Sequence, residues 1–302
     1  MKYVVTGGRG FIGSHFVERL LQLNHEVVDI DNMTYAANET LPWDNHPKYT
    51  HIKEDIAKLK KIPLCDYVVN FAAESHVDNS IIAPDIFVRS NVVGTHNILK
   101  LLRAKIYDRP MFIHISTDEV YGEADPDGAP FKETNILLPG NPYAASKAAA
   151  EMLVMAYSKT YGVDYIITRS TNNYGNRQYE EKLIPHCIKR LEQNRKICLH
   201  GDGTYIRDWL YVKDNVEAIL TIINSNVKNE IYNIAAQNLL TNNFVAKSVA
   251  GWFEKSDPEK HIEYVINRLG QDTRYTIDAS KVKQLGWRPA NKSGLKNFLK
   301  EE

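Results

Sequence analysis

Long apolar runs are absent from this chain. No stretch of about 18 uninterrupted apolar residues occurs in it, which excludes a membrane-spanning helix. A surplus of charge is absent as well. Lys plus Arg is 37 and Asp plus Glu is 37, so no net field draws the chain to nucleic acid or to an anionic membrane. Cysteine is scarce: Cys65, Cys187 and Cys198 cannot all pair and lack metal-ligand spacing, which predicts no metal site and a reducing, cytoplasmic setting. A secretory leader is not expected either, because "MKYVVTGG" enters a strand pattern at once. Internal repeats and low-complexity tracts are missing. What remains is 302 residues, 43% of them hydrophobic, enough for one large domain or two modest ones around a real core.

Short β-rich runs recur at 2–6 (KYVVT), 26–30 (EVVDI), 66–72 (DYVVNFA), 111–116 (MFIHIS) and 164–170 (DYIITRS). Continuous apolar runs of this kind suit strands covered on both faces of a parallel sheet. Helical patterns fall between them, at "FIGSHFVERLLQL", "DIFVRSNVVGTHNILKLLRA" and "NPYAASKAAAEMLVMAYSKTYG". The alternation predicts a doubly wound, Rossmann-type α/β domain over 1–170. Beyond it, turn signals such as "NNYGN", "GDG" and "GWRPANKSG" point to a smaller α/β substrate-binding region over 171–302, with a segment near 208–235 returning to the first sheet.

"TGGRGFIG" stands between the first strand and the first helix. Gly8, Gly10 and Gly13 match G-x-G-x-x-G, and Gly7, Gly10 and Gly13 match G-x-x-G-x-x-G. Without side chains the backbone can approach a pyrophosphate, which the free N–H groups at the helix start, at Phe11 and Ile12, can then hold. A glycine pattern alone is also what a tight turn looks like. Here strand, turn and helix follow in the required order, and acids end the second strand in "VVDIDN", so dinucleotide binding is predicted. Asp31, or else Asp29, would accept from the adenosine ribose hydroxyls and repel a 2′-phosphate, favouring NAD over NADP. Asp55 and Ile56 in "KEDI" would flank the adenine, although Asp55 reads equally as a solvated turn acid. In "NFAAES", Ala72 and Ala73 are small enough for close backbone approach to the cofactor, with plain strand-to-helix packing as the alternative.

"YAASK" sets Tyr143 and Lys147 four apart, on one face of a helix. An ammonium beside a phenol favours the phenolate and lowers its pKa toward that of a general base. Such a pair is common on surfaces, but joined to the glycine loop and to Thr117 at a strand end it becomes specific. Thr117 would bond the substrate hydroxyl being oxidised, Tyr143 would take its proton, and the hydride would pass to NAD.

On these motifs the chain resembles the extended short-chain dehydrogenase/reductases, and more narrowly the nucleoside-diphosphate-glucose 4,6-dehydratases. The resemblance runs the whole length, through "VTGGRGFIGSH", "FAAESHVDNS", "HISTDEVYGE", "NPYAASKAAAEMLV", "EKLIP", "GDGTYIRDWLYV" and "RYTIDASKVKQLGW". Its most discriminating element is "TDEVYG", because sugar-nucleotide epimerases that share the glycine loop and the Tyr-Lys pair usually lack two acids after the Thr. The resemblance implies C4 oxidation, removal of the C5 proton by Glu119, protonation of the departing C6 hydroxyl by Asp118, and return of the hydride to C6. The two carboxyls must hold opposite protonation states, and their mutual repulsion raises one pKa.

On the substrate side, the resemblance assigns Asn173 and Arg207 to the pyrophosphate, and Ser75, Glu181, Lys182 and Leu183 to the nucleoside and sugar. It assigns Asn242, Asp272, Arg274 and Tyr275 to the late substrate-binding motifs. Departures concern the base. "ICLHGDG" has Cys198 and His200 where bacterial dTDP-glucose enzymes usually carry Pro and Tyr, and the UDP-glucose enzymes of eukaryotic rhamnose synthesis typically carry His there. Asn176, Gln271 and Thr273 replace a usual Pro, His and Arg. The balance leans to UDP-glucose over dTDP-glucose. A 4-epimerase and a non-catalytic dinucleotide sensor are the competing readings. By analogy the family implies a homodimer through helices around 85–103 and 143–161, whose surplus of small and apolar residues exceeds one buried face.

Overall fold

The five β-rich runs all become strands of one sheet in the computed structural model, which describes residues 1–105, 109–253, 255–267, 269–290, 295, 298 and 299. They are β1 (Lys2–Thr6), β2 (Glu26–Asp31), β4 (Tyr67–Asn70), β5 (Met111–Thr117) and β6 (Tyr165–Ser170). Two strands outside those runs complete the sheet at its edges, β3 (Tyr49–Lys53) and β10 (Glu230–Ile234). The order is β10-β6-β5-β4-β1-β2-β3, and every pairing is parallel. Strand order reverses between β1 and β4, the switch point at which doubly wound sheets bind ligands.

Helices cover both faces. α1 (Phe11–Gln22) and α7 (Val212–Asn224) pack together, and α5 (Pro142–Tyr161) packs on α4 (Gly94–Arg103). Alternate strand residues feed the two layers, as the period of two requires. Val5 joins Phe16, Val17 and Ile219 in one core, while Val4 joins Ile98, Leu99 and Val154 in the other. Each such side chain contributes roughly 1.5–3 kcal/mol when fully buried.

The predicted helix at 85–104 forms, but with a π-helical turn inside it. After α2 (Val77–Ile82) and α3 (Pro84–Phe87), Val88–Val93 forms a π-helical turn before α4 resumes. Asn91, in this turn, donates from Nδ2 to the Glu74 carbonyl at 3.0 Å and to Ser146 Oγ at 2.8 Å, fastening the turn to α5. α5 itself is bounded as a helix should be. Asn141 caps its start, Pro142 takes the first position and Gly162 ends it in the left-handed region at φ 66°.

The remaining elements form two small sheets with their own core. β7 (Asn172–Tyr174), β9 (Ile206–Tyr211) and β11 (Leu239–Thr241) make one, and β8 (Ile197–His200) with β12 (Ile262–Val265) the other. α6 (Leu183–Glu192) and α8 (Asn242–Trp252) close over them, burying Cys187, Trp209 and Val245, and α9 (Ser280–Gln284) packs against β10. The turn run "GWRPANKSG" passes out of the described residues after 290. No helix among the described residues is long and apolar enough to cross a membrane.

Candidate active site

The segments that follow β1, β2, β3, β4, β5 and β6 line a single cleft at the C-terminal edge of the sheet. Its floor at the β1–α1 turn is glycine because nothing else fits. Gly7 sits at φ 73°, and a Cβ there would come within 2.6 Å of the Ala72 backbone N. A Cβ on Gly13 would stand 2.1 Å from the Gly7 carbonyl oxygen. Gly10, Phe11 and Ile12 complete this wall, and the first N–H groups of α1 have no partner within the helix.

The two acids of β2 lie on one face of the strand but do different work. Asp29 is fully buried, accepting from the Gly8 N–H at 2.9 Å and from the Tyr49 hydroxyl at 2.8 Å, so it braces the turn. Asp31 lines the cleft, its carboxylate aligned by the N–H groups of Arg9 (3.0 Å) and Met33 (2.8 Å). Asp55, Ile56, Ala72 and Ala73 also face the cleft, with Asp55 paired to Arg89 at 2.8 Å. A glycine cradle, an aligned carboxylate and a helix start with open donors fit a dinucleotide with free ribose hydroxyls.

Opposite stands the reactive cluster. β5 ends at Thr117, whose hydroxyl caps the short 3-10 turn Asp118–Tyr121 by accepting from the Glu119 N–H at 3.3 Å. The same hydroxyl donates to Asp118 Oδ1 at 3.2 Å. Asp118 is 2% exposed, and its Oδ2 has no partner among the described residues. Burial, then the charge of Glu119, pushes its pKa up to about 8, against the pull of Arg207 and the Thr117 bond. Asp118 is therefore protonated at neutral pH, as a carboxylic acid donor must be. Ser116 Oγ and Thr171 Oγ1, also buried without a partner among the described residues, line the cleft, as polar groups awaiting a ligand do.

Tyr143 and Lys147 project from α5 into the same cleft, but the expected lowering of the phenol is reversed in the chain alone. Burial, then the charge of Glu119, drives the Tyr143 pKa upward, with the Thr117 hydrogen bond opposing. Lys147 donates to the Ile115 carbonyl at 2.6 Å, and burial lowers it to about 8 while Glu151 works against that drop. Desolvation and the neighbouring Glu119 outweigh the Tyr-Lys pairing.

The substrate side is only partly gathered. Ser75, Asn173, Glu181 and Lys182 line the cleft, and Lys182 bridges it by donating to the Ser75 carbonyl at 2.8 Å. Asn173 is held by Asn215 at 2.9 Å. Arg207 lies over the Tyr275 ring at 4.3 Å and bonds the Asp272 carbonyl at 2.7 Å. The Tyr275 hydroxyl donates to Asp272 Oδ2 at 2.5 Å and lies 3.5 Å from Glu119 Oε2. Arg207, Asp272 and Tyr275 stand outside the cleft wall, and so do four more of the predicted residues. Leu183 opens α6, Asn242 opens α8 and His200 Nδ1 stands 3.1 Å from the Ile266 carbonyl. Arg274 donates to the carbonyls of Asp125, Pro126 and Gly128. Glu74 and Tyr179 line the cleft without having been foreseen. Tyr35 reaches Glu181 at 2.9 Å across 146 positions of sequence, a link no local motif carries.

Comparisons with known proteins agree with this geometry. Residues 4–300 match the family described as GDP-mannose 4,6 dehydratase. The low-salt glycan biosynthesis protein Agl12 of Haloferax volcanii is 42% identical over 96% of this chain and 94% of that protein. A trifunctional Arabidopsis thaliana protein, named for UDP-glucose 4,6-dehydratase, 3,5-epimerase and reductase activities, is 39% identical over 98% of this chain and 46% of its own length. The dTDP-glucose 4,6-dehydratase DesIV of Streptomyces venezuelae, solved with NAD bound, superposes with a TM-score of 0.92 at 36% identity, covering 99% of this chain and 96% of that one. With a family match across nearly its whole length and a cleft that carries both the glycine cradle and the paired acids, the chain belongs to the GDP-mannose 4,6 dehydratase family.

Proposed function

We infer that the chain is an NAD-dependent nucleoside-diphosphate-glucose 4,6-dehydratase, a hydro-lyase that converts UDP-glucose or dTDP-glucose to the 4-keto-6-deoxy sugar nucleotide and water. The observation that carries this reading is the buried Asp118 beside Glu119 in a cleft that also holds Thr117, Tyr143 and Lys147. NAD, when bound, takes up the hydride from C4 and returns it at C6. Gly7, Gly10 and Gly13, with the N–H groups of Phe11 and Ile12, hold its pyrophosphate. Asp31 accepts from its ribose hydroxyls, and Asp55 and Ile56 flank its adenine.

Thr117 orients the C4 hydroxyl and Tyr143, acting as the phenolate that the Lys147 ammonium favours, receives its proton. The resulting ketone acidifies C5–H. Glu119 removes that proton while Asp118 protonates the C6 hydroxyl as it leaves as water. An epimerase has no use for this second pair of proton carriers. Asn173 and Arg207 take the diphosphate, and Ser75, Glu181 and Lys182 take the sugar.

His200 favours uracil as the base. Product from UDP-glucose and dTDP-glucose, measured side by side as loss of water and without added NADH, tests both levels. Preference for dTDP-glucose overturns the base alone, and no loss of water from either overturns the reaction. The protein works as a homodimer through α5. Ala145, Ala149, Met152 and Ala156 repeat along one exposed face of that helix, next to exposed Ile82 and Ile86. Its three unpaired cysteines fit the reducing cytoplasm.

A further inference from the structure

Asn141 is known so far only as the cap of α5: its Oδ1 accepts from the Ala144 N–H at 2.9 Å. The other end of the same amide has a second task. Its Nδ2 donates to Glu119 Oε2 at 3.1 Å, and Asn141 is only 6% exposed. A cap needs only an oxygen, so serine or aspartate would serve the helix as well. The amide does both on two separate atoms, a reach that the single, shorter hydroxyl of serine lacks and a donor that aspartate lacks.

The neighbouring corner is built to keep this contact. A Cβ on Gly140 would lie 2.9 Å from Asp272 Oδ1, so this position closes directly against the late loop. Asp272 in turn holds the Tyr275 hydroxyl, the second group near Glu119 Oε2. The Tyr275 proton is thus given to Asp272, and Asn141 Nδ2 is left as the close donor on Oε2. Oε1 has no protein partner among the described residues.

We propose that Asn141 is a positioning residue for the elimination step, rigidly linking the helix of Tyr143 and Lys147 to Glu119, so that Oε2 is pinned and Oε1 meets the C5 proton. This rests on the dehydratase reading above. A base held in hydrogen-bond reach works at full rate, and a displacement of about 1 Å can cost roughly 100-fold.

The test compares Asn141→Ser, Asn141→Asp and Glu119→Gln in the full-length, NAD-loaded protein, with a crystal structure of Asn141→Ser. Asn141→Ser is expected to lower kcat at least ~10-fold, leave KM within about twofold, raise the C5-deuterium isotope effect and hold Tm within ~3 °C. Asn141→Asp, which keeps the cap but faces Glu119 with a second carboxylate, is expected to lose more. Wild-type kcat and isotope effect in Asn141→Ser overturn the proposal, as does an activity loss that merely follows a lowered Tm. If Glu119→Gln turns over at the wild-type rate, the assignment of the base fails instead. The crystal structure then decides the contact by itself: a swung Glu119 carboxylate supports it and an unmoved one overturns it.

Discussion

Asp118 keeps its proton because the fold denies it water, and that has a measurable thermodynamic side. Its pKa rises from 3.8 to about 8 on folding, so between those values the folded chain binds a proton that the unfolded chain has released. The contribution is fully present below pH ~4 and is lost as pH climbs through ~8. Asp118→Asn cannot ionise and escapes this loss. It should melt near the wild type at pH 5 and at least ~2 °C above it at pH 8.5, by calorimetry across that range. A gap that does not widen with pH would contradict the buried proton. Activity of the wild type should fall above pH ~8 for the same reason, since the donor is then ionised. The residue scale also shows where motif reading stops. Asp29 and Asp31 share one face of β2, and only the closeness of Gly8, whose Cβ would fall 2.3 Å from Asp29 Oδ1, separates brace from ligand-facing acid.

Among the elements, α5 bears the most chemistry and is tied down by the most costly bond. Glu151, fully buried, takes the Arg169 guanidinium of β6 through Nε at 3.1 Å, and Arg169 also donates to the Tyr121 hydroxyl at 2.6 Å. Glu151→Ala strands that cation in the core and should cost about 3–5 kcal/mol in urea unfolding. A cost under ~1 kcal/mol would mean water reaches the guanidinium. The main strands and α5 were legible from local pattern, since continuous apolar runs and cap residues act within a few positions. β3 was not in those runs because "YTHIK" is polar and only half covered. The π-helical turn was not foreseen either, because Asn91 is held by Glu74 and Ser146, neither of them in its own segment. The same divide runs through the site. Glycine loop, acids and Tyr-Lys pair are contiguous motifs, whereas the supports of Asn173 and Glu119 cross 42, 22 and 156 positions. Arg274 carries a motif yet spends its donors on the 125–128 loop.

At the scale of the molecule, the exposed stripe on α5 predicts the assembly. Met152 is 48% exposed at the middle of an apolar face, and placing a charge there should prevent another copy from covering it. The wild type is expected to sediment as a dimer and Met152→Glu as a monomer, and a Met152→Glu dimer would move the interface elsewhere. A different consequence follows from β10. The chain leaves the main sheet after β6, builds β7, β8 and β9, and returns to lay β10 along β6. During synthesis, β6 must therefore wait as an open, wholly buried-type edge until residue 234 has emerged from the ribosome. At roughly 5–20 residues per second that is several seconds of exposure, the interval in which an unpaired strand recruits a stranger. A nascent chain stalled shortly after residue 170 should be a client for chaperones, and one stalled well past 234 should not.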